Sequence, residues 1–314
     1  MTDSILARIN ARLLECLIVL AASCVLLLNA GCATTASNKQ VSVTRSPSPN
    51  ETPKAAPSVK LAHSFEDAVA GGDEAWNAGQ TDMAVYMYVQ ALSFRPRDVM
   101  TLGKLGSIEQ TRGDLNLAAR AFELAANENP SDARLSGRLG LIEMARGNQE
   151  SAWKWLRLSA DSGNTDWRVP DQLSVIESRQ GHYVDAIQYA REASALAPGA
   201  PIPTLHLGQA LYGAGNYGAA EDAASTVLRI ASTPEAWQLL GQIQAKRKAY
   251  SSSVDSLLQG MDAASAYNMA GKLALDNGDN TVALRYFEKA SNVSPVYLTE
   301  AQHNAAVARE RLGR

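Results

Sequence analysis

The side chains of this chain best suited to nucleophilic, redox or metal chemistry are three cysteines and four histidines, and their placement points away from catalysis. Cys16, Cys24 and Cys32 all fall within the first 32 residues, so the rest of the chain can build neither a disulfide nor a thiolate metal site. His63, His182, His206 and His303 are scattered. No His-Glu-x-x-His zinc motif, Gly-Lys-Ser phosphate loop, paired nucleophile motif or dinucleotide glycine fingerprint occurs. These observations predict a non-enzyme with no cofactor, no metal and no small-molecule substrate. His206, inside a helical stretch, reads as a packed or half-exposed histidine rather than a ligand.

One cysteine stands in a chemically meaningful context. Arg8 and Arg12 precede an apolar stretch from Leu17 to Leu28, and the small residues Ala30 and Gly31 follow. This order of charged region, apolar core and cleavage site predicts an export signal over residues 1–31. Lengthening the stretch into an uncleaved membrane anchor would bring in Glu15, whose carboxylate in hydrocarbon costs a few kcal/mol. The segment resembles a bacterial lipoprotein signal, in which Ala30-Gly31-Cys32 makes Cys32 the lipidated first residue of the mature chain. Asn29 departs from that pattern, and Leu20-Ala21-Ala22-Ser23-Cys24 is an alternative site that would leave Val25 to Leu28 behind the lipid. Ala33 after Cys32 implies, by the same resemblance, an outer-membrane lipoprotein facing the periplasm, since an aspartate usually stands there when the inner membrane is the destination.

Residues 32–64 are rich in Ser, Thr, Ala, Lys and Pro and lack the apolar content to order themselves, which predicts a flexible tether behind the lipid. Such a tether reaches on the order of 30 Å. The net charge of -3 is uneven: residues 1–32 sum to zero, residues 33–64 to +3 and the remainder to -6. An acidic body excludes nucleic acid as the expected partner.

The body is periodic. Gly79, Gly113, Gly147, Gly181 and Gly215 are spaced by 34 residues, and Gly278 resumes the series after one shortened unit. Gly72, Gly106, Gly140 and Gly208 form a second set, and Pro96, Pro130, Pro198 and Pro295 a third. Small residues such as Gly106 and Ala118 let two helices cross closely, with Phe122 filling the space they leave. Gly113 can take the left-handed conformation that ends a helix, and Pro130 stops the next one. Units begin near residues 65, 99, 133, 167, 201, 234 and 264; the sixth is about four residues short, with Lys248 in place of its turn glycine. Tyr297, Ala301, Ala305, Ala308 and Leu312 recur at helical spacing and predict a C-terminal capping helix over 297–314.

This grammar resembles the tetratricopeptide-repeat (TPR) family. The second unit carries it as Leu102, Leu105, Gly106, Gly113, Ala118, Phe122, Ala125 and Pro130, the seventh as Tyr267, Gly271, Gly278, Ala283, Phe287, Ala290 and Pro295. The resemblance implies an all-α superhelical solenoid of about seven helix-turn-helix units over 65–296. It also implies a concave groove lined by the second, fifth, ninth and twelfth positions of each unit. Those positions include Arg134, Leu141, Met144, Arg168, Asp171, Val175, Leu205, Gln209 and Tyr212, then Gln238, Gln242, Asn268 and Lys272, a mixed apolar and polar lining suited to a partner's helix or extended segment. The Lys and Asn residues of carboxylate-clamping TPR adaptors are missing: Gly103, Ser107, Gly137 and Leu141 stand there instead. Trp153 reads as a packing residue and Trp155 as a partly buried residue, the alternative being a contact patch on the convex side.

A TPR array on a lipid tether looks like the pilotin-type lipoproteins that help pilus or secretion machines assemble, those of tight-adherence pili in particular. That resemblance implies a membrane-anchored, protein-binding scaffold whose partner is a secretin or a pilus-assembly subunit. The other reading is an adaptor that gathers periplasmic proteases or cell-wall hydrolases.

Overall fold

The computed structural model describes residues 61–293 and 298–313. The export signal, Cys32, most of the tether, Pro295 and Tyr297 lie outside the described residues. Among the described residues, all regular structure is helical and falls into hairpins. The first two are α1 (Phe65–Asn77) with α2 (Thr81–Phe94), and α3 (Val99–Arg112) with α4 (Leu115–Glu128). Next come α5 (Ala133–Ala145) with α6 (Gln149–Asp161), α7 (Arg168–Gln180) with α8 (Tyr183–Leu196), and α9 (Pro201–Gly213) with α10 (Tyr217–Ile230). The chain closes with α11 (Pro234–Lys246) and α12 (Tyr250–Gly260), α13 (Ala263–Asp276) and α14 (Asn280–Val293), and a single helix α15 (Leu298–Arg311).

The second hairpin shows how local chemistry draws these boundaries. The Asp98 carboxylate accepts the Thr101 N–H at 2.8 Å and so satisfies one of the orphan donors that open α3. Gly113 ends that helix at φ 82°, where an L side chain would be strained. The Asp114 carboxylate then caps α4 through the Leu117 N–H at 3.0 Å. Between the two helices, a Cβ added at Gly106 would stand 2.8 Å from the Phe122 ring, so only glycine admits this crossing.

The shortened sixth hairpin solves the same turn with a different residue. Lys248 takes φ 61°, the one non-glycine residue with a positive value among those described. Its ammonium group lies 3.1 Å from the Asp279 carboxylate, to which the Tyr250 hydroxyl also donates. Asn277 donates to the Ala245 carbonyl at 2.7 Å, so the glycine-free turn is fastened to the turn of the next unit. The left-handed conformation costs a non-glycine residue about 1–2 kcal/mol, and an exposed ion pair returns about 0–1 kcal/mol. Lys248→Gly is therefore expected to raise stability by about 0.5–1 kcal/mol in urea titrations; a net loss would mean that the Asp279 contact outweighs the strain.

The described residues divide into two compact parts at Asn129 and Pro130. In the first, Tyr88, Phe122, Leu102 and Ile108 are fully buried. Glu109 is also buried beside this core, and burial pushes its carboxyl above the ordinary value of 4.5; the Arg112 charge pulls it back, while Asp114 and Asp82 push with burial. A carboxyl with a raised folded-state pKa holds its proton more tightly when folded, so stability falls as pH climbs upward from 4.5. Glu109→Gln should accordingly gain more stability at about pH 7 than at about pH 4, as read from melts at both values. An equal gain at both values would place the effect elsewhere.

In the second part each hairpin packs on the next, and first helices also pack on first helices: α5 on α7, α7 on α9, α9 on α11 and α11 on α13. Buried Leu156, Val169, Leu173 and Ile176 form one core cluster, Leu211, Val227, Leu239 and Ile243 a second, and Leu257, Tyr286 and Phe287 a third. α15 lies against α14 and contributes Ala305 and Ala308 to the third cluster. Alanine dominates that contact because a small side chain lets the last helix approach closely.

Candidate partner-binding face

Because α5, α7, α9, α11 and α13 contact one another in sequence, their outward residues share one surface within the second part. Thirteen expected groove residues belong to these helices, and the structure separates them. Arg134, Arg168, Gln209 and Lys272 are exposed, whereas Leu141, Met144, Val175, Tyr212, Gln238 and Gln242 are half-buried. Asp171, Leu205 and Asn268 are buried, at 1%, 9% and 5% exposure, and are corrections to the expected lining.

Each correction has a neighbour as its cause. The Asp171 carboxylate meets His206 Nδ1 of α9 at 2.7 Å and the Gln172 amide at 3.1 Å, so it joins adjacent units. Leu205 sits in the second core cluster beside Leu239. Asn268 accepts a bond at 3.1 Å from Asn304 of α15, which covers this end of the face. α15 also engages Lys272 through Glu300, while Gln238 donates to the Gly260 carbonyl at 3.1 Å. The units beyond α9 thus direct several of their expected groove residues to contacts within the chain.

Partial burial has a similar origin elsewhere. Leu141 and Met144 lean on the cluster around Leu156 and Leu173. Tyr212 faces Tyr217 with ring centroids 5.6 Å apart, and burial pushes its hydroxyl above the ordinary range. Trp153 is half-buried and its indole donates to Glu177 at 2.7 Å; Glu177, itself buried, also meets His182 at 2.8 Å. Trp155 is half-buried as well.

The two arginines are positioned by a repeated device. Arg134 N–H, Nε and Nη2 all reach the Asp132 carboxylate, at 3.0, 3.1 and 2.9 Å. Arg168 does the same with Asp166, its backbone at 3.1 Å and its Nη2 at 2.7 Å. Burial pushes the Asp166 carboxyl up, but the Arg168 bonds and the charges of Arg168 and Arg138 hold it below its usual range. Asp-x-Arg recurs at the 34-residue spacing, a signal that position-counting along the groove did not use. Arg138 and Arg179, both exposed on the same two helices, were missed because they stand outside the four positions counted in each unit.

Between these forks lies a polar knot. The Ala133 carbonyl accepts from Ser159 at 2.6 Å and from Asn164 at 2.8 Å, and Asn164 in turn accepts the Asp166 N–H at 2.7 Å. A Cβ at Gly137 would stand 2.5 Å from that Asn164 amide, so glycine at this fifth position makes room for the knot.

Among the described residues, no group of three or more His, Cys, Asp or Glu side chains could hold a metal ion. No described helix is long and apolar enough to cross a membrane.

Three tetratricopeptide-repeat family models match the chain, over residues 104–166, 179–243 and 264–297. No curated protein matches it in sequence. Among solved structures, it is similar to a tetratricopeptide repeat protein from Parabacteroides merdae, at TM-score 0.53 and 13% identity, covering 78% of this chain and 98% of that one. It is also similar to YrrB, described as a TPR protein with an unusual peptide-binding site, at TM-score 0.51 and 14% identity over 61% of this chain and 97% of that one. The Pseudomonas aeruginosa protein pilF gives TM-score 0.49 and 21% identity, with coverages of 66% and 96%.

Proposed function

We propose that this chain, which carries tetratricopeptide repeats, is a protein-binding scaffold tethered to the cell envelope that assists the assembly or localisation of a pilus or secretion machine. The observation that carries the binding role is the contiguous surface of first helices α5, α7 and α9, which presents Arg134, Arg168, Gln209 and Tyr212. Stacked hairpins of this kind offer a rigid, elongated surface with its side chains already positioned, which lowers the entropic cost of binding another protein. Envelope attachment rests on the lipoprotein-like Ala30-Gly31-Cys32 signal and the Ser/Thr/Pro-rich tether that follows it. The pilus or secretion role rests on that combination of tether and array.

Crosslinking the full-length protein in living cells, followed by denaturing recovery and mass spectrometry, tests the reading. A secretin or pilus-assembly subunit attached to the parent and lost from Cys32→Ala is the expected result. Periplasmic proteases or cell-wall hydrolases would establish the adaptor reading in its place, and an unchanged partner set in Cys32→Ala would remove the lipid anchor from the account.

A further inference from the structure

The charges exposed on α5 and α7 are all of one sign. Arg134 and Arg138 on α5 and Arg168 and Arg179 on α7 reach solvent. The carboxylates on the same two helices, Glu143, Asp171 and Glu177, are buried and bonded inside the chain. Helices α6 and α8 differ, because both signs are exposed on each; on α6 Lys154 pairs with Glu150 and Arg157 with Asp161. In a chain of net charge -3, four exposed arginines on the first helices of two consecutive units are a local reversal.

This face is also built rather than merely charged. Asp132 and Asp166 each grip their arginine through Nε and Nη2, which turns the opposite Nη1 edge of each guanidinium away from its carboxylate. The Ala133–Asn164–Asp166 chain of hydrogen bonds ties the second fork to the start of α5, so the two forks keep a fixed separation. Arg138, whose charge acts on Asp166, and Arg179 add two exposed guanidinium groups to those held in the forks. Arg179 follows Arg168 by three helical turns, about 16 Å along one side of α7, a distance that about five residues of extended chain would span. Beyond the arginines, residues 193–220 contain no Asp, Glu, Lys or Arg, and Ile202 there is 49% exposed.

We infer that the face formed by Arg134, Arg138, Arg168 and Arg179 captures an acidic segment of a protein partner, with apolar residues of that segment continuing onto α9. The inference rests on the scaffold reading above and specifies the chemistry of its partner. Guanidinium groups already oriented by carboxylates lose little side-chain entropy when they take a second carboxylate across the free edge. The aspartates lower the net charge of the face and confine recognition to groups that can reach that edge. The arrangement therefore selects discrete side-chain carboxylates spaced along a strand or helix, in preference to a uniform polyanion.

A random dodecapeptide library displayed on phage, panned against the full chain, tests this directly. Recovered peptides are expected to be enriched in Asp and Glu with apolar residues beside them. A synthetic copy of one such peptide should lose affinity at least about tenfold toward Arg134→Gln/Arg138→Gln/Arg168→Gln, and its binding to the parent should weaken with salt. Arg179→Gln, which removes an arginine outside the two Asp–Arg forks, gives a second variant that leaves their contacts intact; its affinity loss should be severalfold. Neutral or basic peptides, or equal affinity for parent and variants, would overturn the acidic-segment inference while leaving cellular crosslinking to decide the scaffold reading. Preference for an oligothymidylate over the peptides, abolished in the triple variant, would overturn it as well.

Discussion

Phe287→Ala is expected to lower stability by about 3–5 kcal/mol, the largest loss from any single truncation in the second part of the chain. The ring is fully buried, and it fills the space above Gly271, where an added Cβ would come within 2.5 Å of it. Leu257, Tyr286, Ala305 and Ala308 belong to the same cluster, so the cavity would open among four helices, α12 through α15. Glycine and alanine neighbours cannot fill it by changing rotamer. In a repeat array each unit is held only by its neighbours, so the damage should stay local. Hydrogen exchange should show α13, α14 and α15 losing protection while α5 to α8 keep theirs. Uniform loss along the chain would mean that the array unfolds as one cooperative block.

Gly140→Ala should cost about 2–3 kcal/mol, although alanine is the better helix former by about 1 kcal/mol. A Cβ there would lie 2.6 Å from Leu156 Cγ and 2.9 Å from the Leu156 backbone nitrogen. A side chain can rotate away, but a backbone nitrogen moves only with its helix, so α5 and α6 must separate. Gly147→Ala makes the contrast: at φ 80° with nothing within 4 Å, it meets only conformational strain, and about 1 kcal/mol is expected. Paired urea titrations measure both. If the two variants lose equally, close helix crossing is not what Gly140 is for.

The glycines show how far the sequence could be read. Their 34-residue spacing marked the hairpins, and the first helices begin at Phe65, Val99, Ala133, Arg168, Pro201, Pro234 and Ala263, each within one residue of the periodic unit starts. The two roles of glycine were also legible, since Gly106 and Gly140 stand at crossings and Gly113 and Gly147 at positive φ. The groove was legible only as a set of positions. Asp171, Leu205 and Asn268 occupy positions that the repeat pattern turns inward, yet His206, Leu239 and Asn304, each 34 to 36 residues further on, cover them.

The sequence by itself determined the helices, their turns and the small-against-large pairing within each hairpin. Those features depend on contacts between residues fewer than about 20 positions apart, where backbone geometry leaves little choice. Tertiary structure decided which polar groups face solvent. The fork at Arg168 hangs on Asp166, which Asn164 holds against the Ala133 carbonyl 31 residues earlier, and the bonds of Asp171 and Asn268 likewise join different units. Small changes in the rotation of one hairpin on the next move such atoms by ångströms, and hydrogen bonds tolerate only tenths. A repeat pattern fixes the hairpin but not that rotation, so the arginine face became visible only once the units were stacked.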